Sequence, residues 1–212
     1  SMASTNGDFM IADMSQQFEN RYDEENTEWR CPEVIVNWGC NAVVSNSDNF
    51  FGHWIVDCMQ RGAKMITIDP GLTWLAARSD YWLRVRPGTD CALAMAMIHV
   101  IAEEGLEDKD FVSKWCYGFD ELVERCEPWT PERAAEVCWV DADKIREAAR
   151  MYANANNAAI QWGLKVDQTT NATATANAIN ALWAITGNVD VPGGNIIIRN
   201  AFSQTLSYGY GW

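Results

Sequence analysis

Paired metal-ligand cysteines are missing from this sequence, although it contains seven cysteines. Zinc and iron–sulfur sites usually take cysteines at short, regular spacings such as Cys-x-x-Cys, and no two of these seven are spaced in that way. The odd number also argues against a disulfide framework in a chain of 212 residues. We therefore predict no metal site and mostly reduced, buried thiols, at Cys31, Cys40, Cys58, Cys91, Cys116, Cys126 and Cys138.

Long apolar runs and an excess of positive charge are also missing. No apolar stretch approaches the roughly 20 residues of a membrane helix, so we expect no direct membrane insertion. Lys and Arg number 16 against 29 Asp and Glu, which gives a net charge of −13. That balance argues against nucleic acid or an anionic membrane surface as a partner. It leaves room for one basic pocket that binds a phosphate, because net charge says little about a single site.

Glycine is sparse where a dinucleotide fingerprint would need it. The fingerprint Gly-x-Gly-x-x-Gly places three glycines between a strand and a helix, whereas the loop after the first predicted strand has only Gly39. A standard NAD site is therefore disfavoured. The only two histidines, His53 and His99, lie in helical, largely apolar contexts, which is typical of satisfied, partly buried residues rather than of ligands.

A βαβ unit is the clearest element that the sequence does contain. Val34 to Val36 is a β-branched run that predicts a buried strand, and Lys64 to Ile68 predicts a second one after a helix over about 47–61. Ligands of such units bind at the carboxyl ends of the strands. The loops at 37–41 and 69–73 lie at those ends, and this coincidence indicates a binding site.

Further strands and helices alternate along the chain. Tyr81 to Arg86 and Ala158 to Trp162 predict strands, and apolar helices are expected over about 89–104 and 171–186. The alternation predicts the α/β class, with a doubly wound, mostly parallel sheet flanked by helices, similar to a Rossmann fold.

Three regions divide the chain. Residues 33–199 are expected to form the α/β domain. Residues 1–32 are polar and acidic and are interpreted as a tail or connecting arm. Residues 200–212 are interpreted as the start of a following segment.

The first loop can bind a pyrophosphate through its backbone. The N–H groups of Gly39, Cys40 and Asn41 would face the phosphates near a helix N-terminus, with Trp38 beside them in the same loop. An ordinary βα turn, with glycine at a positive φ, explains the same residues.

Two carboxylates follow the predicted strands. Asp69 can accept hydrogen bonds from ribose hydroxyls, or can simply start an Asp-Pro turn. Thr73 can add a hydroxyl contact or cap a short helix. Asp90 can accept from the N1–H and amino group of a guanine, or can complement the dipole of the helix that it begins.

The loop after the late strand offers two further candidates. Lys165 can reach a phosphate, and Gln168 can reach a pterin or a substrate group. A solvated loop is the alternative interpretation.

The order of these pieces resembles a known domain. Over about 33–195 the chain is similar to the third domain of the molybdopterin oxidoreductase superfamily, the dimethyl-sulfoxide-reductase-like enzymes. The resemblance lies in Trp-Gly-Cys-Asn at 38–41, Arg-Gly-Ala-Lys at 61–64, Asp-Pro-x-x-Thr at 69–73, Arg-Pro-Gly-Thr-Asp at 86–90, Thr-Pro-Glu at 130–132, Leu-Trp-Ala-Ile-Thr-Gly-Asn at 182–188 and Pro-Gly-Gly at 192–194.

The resemblance implies a role for this domain. In that family it holds the guanosine and pyrophosphate of one of two molybdopterin guanine dinucleotides. The resemblance places Gly39, Cys40 and Asn41 near the pyrophosphate. It implies that the guanosine is held by Asp69, Thr73 and Asp90. The predicted cofactor-binding set is completed by Trp38, Arg86, Gly88, Lys165 and Gln168.

The resemblance also implies what surrounds the domain. The full-length enzyme would carry molybdenum or tungsten, with an iron–sulfur cluster elsewhere in its chain, so no catalytic residue and no activity are expected in this segment alone. Its partners would be the remaining domains of its own chain and an electron-transfer subunit. The closest resemblance is to anaerobic branches, including catechol-dehydroxylase-like and acetylene-hydratase-like members. The compartment stays open between the prokaryotic cytoplasm and the cell envelope.

Two departures from the family pattern are present. Ala42 stands where the family usually has proline, and Gly71 stands where arginine is frequent. The missing arginine would weaken a phosphate or inter-domain contact, but neither change removes a carboxylate.

Two other classes of function fit parts of the sequence. One is a nucleotide-binding domain of the NAD or thiamin diphosphate type in an unrelated enzyme, against which the single glycine of the first loop counts. The other is a non-catalytic interaction module, for which the tryptophan-rich tail is the only indication.

Overall fold

A four-stranded, all-parallel sheet forms the centre of the computed structural model, which describes residues 32–45 and 51–195. The strands are β1 (Val34–Trp38), β2 (Lys64–Ile68), β3 (Tyr81–Leu83) and β4 (Ala158–Trp162), in the spatial order β3-β2-β1-β4. This arrangement confirms the predicted α/β class with a parallel sheet. The third strand ends at Leu83, three residues earlier than the sequence predicted.

Both faces of the sheet are buried, which is why the strands are apolar along their length. Side chains alternate between the faces, so Val34 and Val36 join one core while Ile35 joins another. Val34 pairs with Lys64 on one side and with Ala158 on the other.

The first face carries the larger core. It is covered by α3 (Asp90–Glu103), α6 (Pro131–Cys138), α7 (Ala142–Ala153) and α9 (Ala172–Ile185). Helix α3 is apolar nearly all round, as predicted, and it is packed among the other helices, against α6, α7 and α9. Shorter helices complete this side: α4 (Lys109–Trp115), α5 (Phe119–Cys126) and α8 (Leu164–Asp167).

The second face is covered more thinly. Helix α1 (Ala42–Ser45) follows the first loop directly, and α2 (Phe51–Gln60) places Ile55 and Cys58 against Ile35. The helix predicted over about 47–61 is found at Phe51–Gln60, and the short helix α1 was not predicted. Residues 46–50 lie outside the described part of the chain.

Side-chain caps fix the starts of several helices. Thr130 accepts a hydrogen bond from the backbone N of Arg133, and Pro131 occupies the first helical position, as the Thr-Pro sequence predicts. Asp108 caps α4 and Asp141 caps α7 in the same way. These caps supply partners for N–H groups that a helix leaves unpaired.

Two asparagine amides close the outer edge of β4. Asn195 accepts from the backbone N of Ile160 at 2.9 Å and donates to the O of the same residue at 2.9 Å. Asn188 accepts from the backbone N of Ala158 at 2.8 Å. The amides thus provide the hydrogen bonds that another strand would provide. The strand predicted from Asn195 to Ile198 falls beyond the described residues, apart from an isolated bridge between Asn195 and Val189.

The strand order reverses between β1 and β4. The chain adds β2 and then β3 on one side of β1, and places β4 on the other side. In doubly wound sheets the ligand crevice lies outside the carboxyl ends of the strands at such a reversal. In the described part of the chain, no helix has the length and apolar character needed to cross a membrane.

Candidate functional site

A pocket of about 350 Å³ opens at the carboxyl ends of the strands. Five residues predicted from the sequence line it, namely Gly39, Gly88, Asp90, Lys165 and Gln168. Its volume falls in the usual range for small-molecule sites. The structure therefore brings together, at one place, residues that the sequence spreads over the whole domain.

Two glycines let the loops after β1 and β4 touch each other. Gly39 adopts a φ of 60°, and a Cβ there would lie 3.2 Å from the Cβ of Lys165. A Cβ on Gly163 would lie 2.5 Å from the carbonyl O of Gly39, closer than real Cβ contacts allow. The close approach depends on the absence of both side chains, and it places Lys165 beside the first loop.

Trp38 belongs to β1 and not to the first loop, so the prediction of its position was wrong. Its side chain is fully buried, because Trp38 pairs with Ile68 and Trp162 in the sheet. The indole Nε1 donates to Asp90 Oδ1 at 2.8 Å. Trp38 therefore holds the carboxylate of Asp90, which lines the pocket at the start of α3, and leaves Oδ2 available for a ligand.

Asp69 lies behind Lys165. Its side chain is only 1% exposed, and Oδ2 accepts from Lys165 Nζ at 2.9 Å. Oδ1 accepts from the backbone N of Gly71 at 2.8 Å. The ammonium of Lys165 is thus fixed at the pocket by an acid that solvent barely reaches.

Cys40 does not line the pocket, and its side chain packs against the core on the second face of the sheet. The amide of Asn37 donates to the Cys40 carbonyl O at 2.6 Å, and Gln161 Nε2 lies 3.8 Å from the thiol sulfur. Burial is the main cause that raises the pKa of the Cys40 thiol. A thiol with a raised pKa stays protonated at neutral pH, so Cys40 is a poor nucleophile and a poor metal ligand.

Three other predicted residues do not line the pocket. Asn41 begins α1, where its carbonyl O accepts from Ser45 N. Thr73 Oγ1 accepts from Ala76 N at 3.1 Å, at the start of a short 3-10 helix at 76–78. The guanidinium of Arg86 lies over the ring of Trp139, 4.8 Å from its centroid.

No metal site is visible in the described residues. They contain no group of three His, Cys, Asp or Glu side chains that could hold a metal ion, and the six described cysteines are free thiols. His99 Nδ1 lies 3.2 Å from the carbonyl O of Cys126, in agreement with a satisfied structural histidine.

The pocket has an apolar wall that was not predicted from the sequence. Ile68, Pro70, Val85 and Pro87 line it together with Thr169. Pro70 directly follows Asp69, and Pro87 lies three residues before Asp90. Their closeness in sequence to the two predicted acids could have identified them as pocket residues. Gly163 was also missed as a site residue, although it follows β4 as Gly39 follows β1.

Other depressions lie away from the strand ends. One of about 630 Å³ lies beside Trp115, Tyr117 and Asn180, and one of about 400 Å³ lies beside Glu33 and Arg61, near the amino ends of β1 and β2. The pocket of about 350 Å³ at the carboxyl ends of the strands is the better candidate for a nucleotide, because parallel sheets bind ligands at those ends.

Comparison with known proteins identifies the family. Residues 1–208 match the family model described as molybdopterin oxidoreductase. The chain belongs to the molybdopterin oxidoreductase family. Acetylene hydratase of Syntrophotalea acetylenica is 42% identical over 130 residues, which are 61% of this chain and 18% of that protein. Formate dehydrogenase H of Escherichia coli strain K12 is 36% identical over 160 residues, which are 76% of this chain and 22% of that protein.

A solved structure agrees with these relatives. Acetylene hydratase from Pelobacter acetylenicus superposes with a TM-score of 0.72 at 37% identity, covering 78% of this chain and 22% of the other. This chain therefore spans about a fifth of the length of the molybdopterin oxidoreductases that it matches.

The pocket contains groups that can bind a nucleotide. A phosphate needs positive charge, and Lys165 beside the Gly39 loop supplies it, whereas the backbone N of Gly39 already donates to Ile68 O at 2.8 Å. Asp90 supplies a carboxylate that Trp38 already orients through Oδ1.

Proposed function

We propose that this chain is the domain of a molybdopterin oxidoreductase that holds the guanosine and pyrophosphate of one molybdopterin guanine dinucleotide. The observation that carries the proposal is the pocket at the strand ends, where Asp90 and Lys165 both face a glycine-lined cradle. A carboxylate favours guanine, and an ammonium favours phosphate. The alternative of a nucleotide domain of the NAD type lacks the three-glycine fingerprint.

The chain's own residues bind and orient the cofactor in this proposal. The bound cofactor carries molybdenum or tungsten, which supplies the redox chemistry of the full-length enzyme. Asp90 accepts from the guanine edge, and Trp38 keeps that carboxylate in place. Lys165 takes the phosphates beside the Gly39 loop, and Gln168 lies within the same pocket.

The full-length protein is proposed to be a molybdenum- or tungsten-dependent oxidoreductase with an iron–sulfur cluster outside the region described. Three aromatic side chains offer contact area to its other domains or to an electron-transfer subunit. Trp115 is 77% exposed, Trp139 69% and Tyr117 fully exposed. Exposed aromatic residues are enriched in interfaces, which supports the proposal that other parts of the parent enzyme cover them.

The proposed function is tested by measuring whether the chain prefers guanine nucleotides and whether that preference depends on Asp90. Calorimetry with GMP, GDP, AMP and NAD is expected to show a preference for the guanine nucleotides. Asp90→Asn should weaken GMP binding by about tenfold or more and leave AMP unchanged, because the loss of one charged hydrogen bond has about that effect. The amide is nearly isosteric, so the change removes charge and one acceptor rather than volume.

Asp110→Asn is the matched control, because Asp110 is an exposed residue on α4 that pairs with Lys114. It should leave all four affinities unchanged. Tighter binding of NAD than of GDP would contradict the proposal in favour of an NAD-type domain, and absence of binding by both GMP and GDP would remove it for this chain.

A further inference from the structure

Three buried polar side chains lie side by side on the second face of the sheet. Thr67, Asn37 and Gln161 are register partners across β2, β1 and β4, and each is 0% exposed. The positions two residues earlier on the same strands are apolar and belong to the core on that face. The polar row therefore lies only at the carboxyl ends of the strands, next to the loops that follow β1 and β4.

Both amides of this row hold Cys40. Asn37 Nδ2 donates to the carbonyl O of Cys40 at 2.6 Å. Gln161 Nε2 donates to the carbonyl O of Trp162 at 3.0 Å and lies 3.8 Å from the sulfur of Cys40. A carbonyl oxygen only accepts hydrogen bonds, so these contacts fix which atom of each amide is the nitrogen. The two amides thus join the loop after β1 to the loop after β4.

The oxygen atoms of the same amides make no comparable contact. Among the described residues, Asn37 Oδ1 and Gln161 Oε1 are buried and accept no hydrogen bond. A buried acceptor without a donor is destabilising, and an apolar side chain of similar shape would avoid that cost. Stability alone therefore does not account for two amides at these positions. The part of each side chain that makes specific contacts is its amide nitrogen, which bonds the loops.

The loops that the amides join are also the loops that form the pocket. Gly39 and Lys165 belong to them, and both line the pocket. Gly163 packs so closely against Gly39 and Cys40 that there is no room for a Cβ. A shift of Cys40 away from β4 would move Gly39 with it, and binding groups that are misplaced by about 1 Å lose much of their effect.

We infer that Asn37 and Gln161 are positioning residues, which hold Cys40 from the second face of the sheet and keep the loops after β1 and β4 in the arrangement that binds a nucleotide. The inference rests on the proposed nucleotide function of the pocket. It adds to that function two residues that do not line the pocket themselves. Cys40 then acts as the anchor of its loop.

Asn37→Leu and Gln161→Met test the inference in the 212-residue chain, because each replaces an amide by an apolar side chain of similar shape. Each variant is expected to weaken GDP binding by about fivefold or more in calorimetry, since a hydrogen bond that holds a loop is lost. The urea midpoint should change little, because each variant removes a buried unpartnered oxygen and leaves one loop carbonyl without its donor.

Hydrogen exchange of the ligand-free chain measures the loops directly. The backbone N of Gly39 donates to Ile68 O, and the backbone N of Gly163 donates to Trp38 O. Exchange of these two amide protons reports the opening of the two loops. Both variants should speed it by about the same factor as they weaken GDP binding.

Thr67→Val is the matched control. Thr67 has the same burial in the same row, but its hydroxyl pairs with Ser79 Oγ at 2.5 Å and bonds neither loop. This variant should lower the urea midpoint and leave both GDP affinity and glycine exchange unchanged. If Asn37→Leu and Gln161→Met behaved as Thr67→Val does, with a lower midpoint and unchanged GDP affinity, the amides would serve only the core and the inference would be overturned.

The positioning role and the guanine function can fail separately. Unchanged exchange of Gly39 and Gly163 in both amide variants would refute the positioning role even in a chain that binds GDP well. A chain that binds GDP and ADP equally, yet loses both through either variant, would retain the positioning role and contradict the guanine dinucleotide function. A chain that binds neither nucleotide would contradict the proposed function, and exchange alone would then decide whether the amides hold the loops.

Discussion

Asn195→Ala is expected to lower the free energy of unfolding by about 2–4 kcal/mol, because it leaves two buried backbone groups without partners. The amide of Asn195 bonds both the N and the O of Ile160 on the outer edge of β4, and the residue is 1% exposed. A small cavity in place of the amide cannot supply those bonds. Urea unfolding followed by circular dichroism measures the loss as a shift of the midpoint at constant slope.

Two further variants separate lost hydrogen bonds from lost volume. Asn195→Asp keeps an acceptor for Ile160 N but places an oxygen against Ile160 O, so it should also be destabilising. Asn154→Ala removes an exposed amide that bonds only within its own helix region, to Arg150 O, and should shift stability by less than about 0.5 kcal/mol. Equal effects of the alanine changes at 154 and 195 would show that the edge amides do not stabilise β4.

Gly163→Ala is expected to cost about 1–3 kcal/mol of stability, the usual penalty of overpacking a tight contact, and to abolish most nucleotide binding. The new Cβ would lie 2.5 Å from the Gly39 carbonyl O and 2.9 Å from the Cα of Cys40. Both are backbone atoms, so the loops after β1 and β4 must separate. Thermal unfolding and GDP calorimetry on the same preparation measure the two effects.

Gly71→Ala is the matched control for this change. Its Cβ would meet only Asp69 Oδ1, at an ordinary 3.4 Å, and the backbone N that bonds Asp69 is retained. Little change in stability is expected. If Gly163→Ala bound GDP as the unchanged chain does, the close contact of the two loops would have no part in the pocket.

Local patterns were enough to predict the sheet and the location of the pocket. The β-branched run before Asn37 and the apolar run before Asp69 mark buried parallel strands, whose carboxyl ends must meet at one edge. The acid after β2 and the acid that begins α3 then follow from their positions in the sequence. This reasoning needs no knowledge of which side chains touch.

Contacts between distant residues could not be predicted in the same way. Trp38 was assigned to a loop because nothing local shows that β2 and β4 both extend far enough to pair with it. Asp69 and Lys165 are 96 residues apart, so their pairing depends on the tertiary fold. Asn188 and Asn195 bond β4 across 30 and 35 residues, and no local pattern in the sequence indicates these contacts.

The position of β4 in the sheet also fixes when the pocket can form during synthesis. Within this domain β1 leaves the ribosome before its partner β4, and the two strands pair residues that are 124 apart in sequence, such as Val34 and Ala158. Contacts of such long sequence separation form slowly. Until β4 is in place, the Gly39 loop has neither Gly163 against it nor Lys165 beside it. Under the proposed function, the nucleotide pocket is therefore complete only after β4 is in place, and a nascent chain that stops before β4 would expose one side of β1 as an unpaired edge.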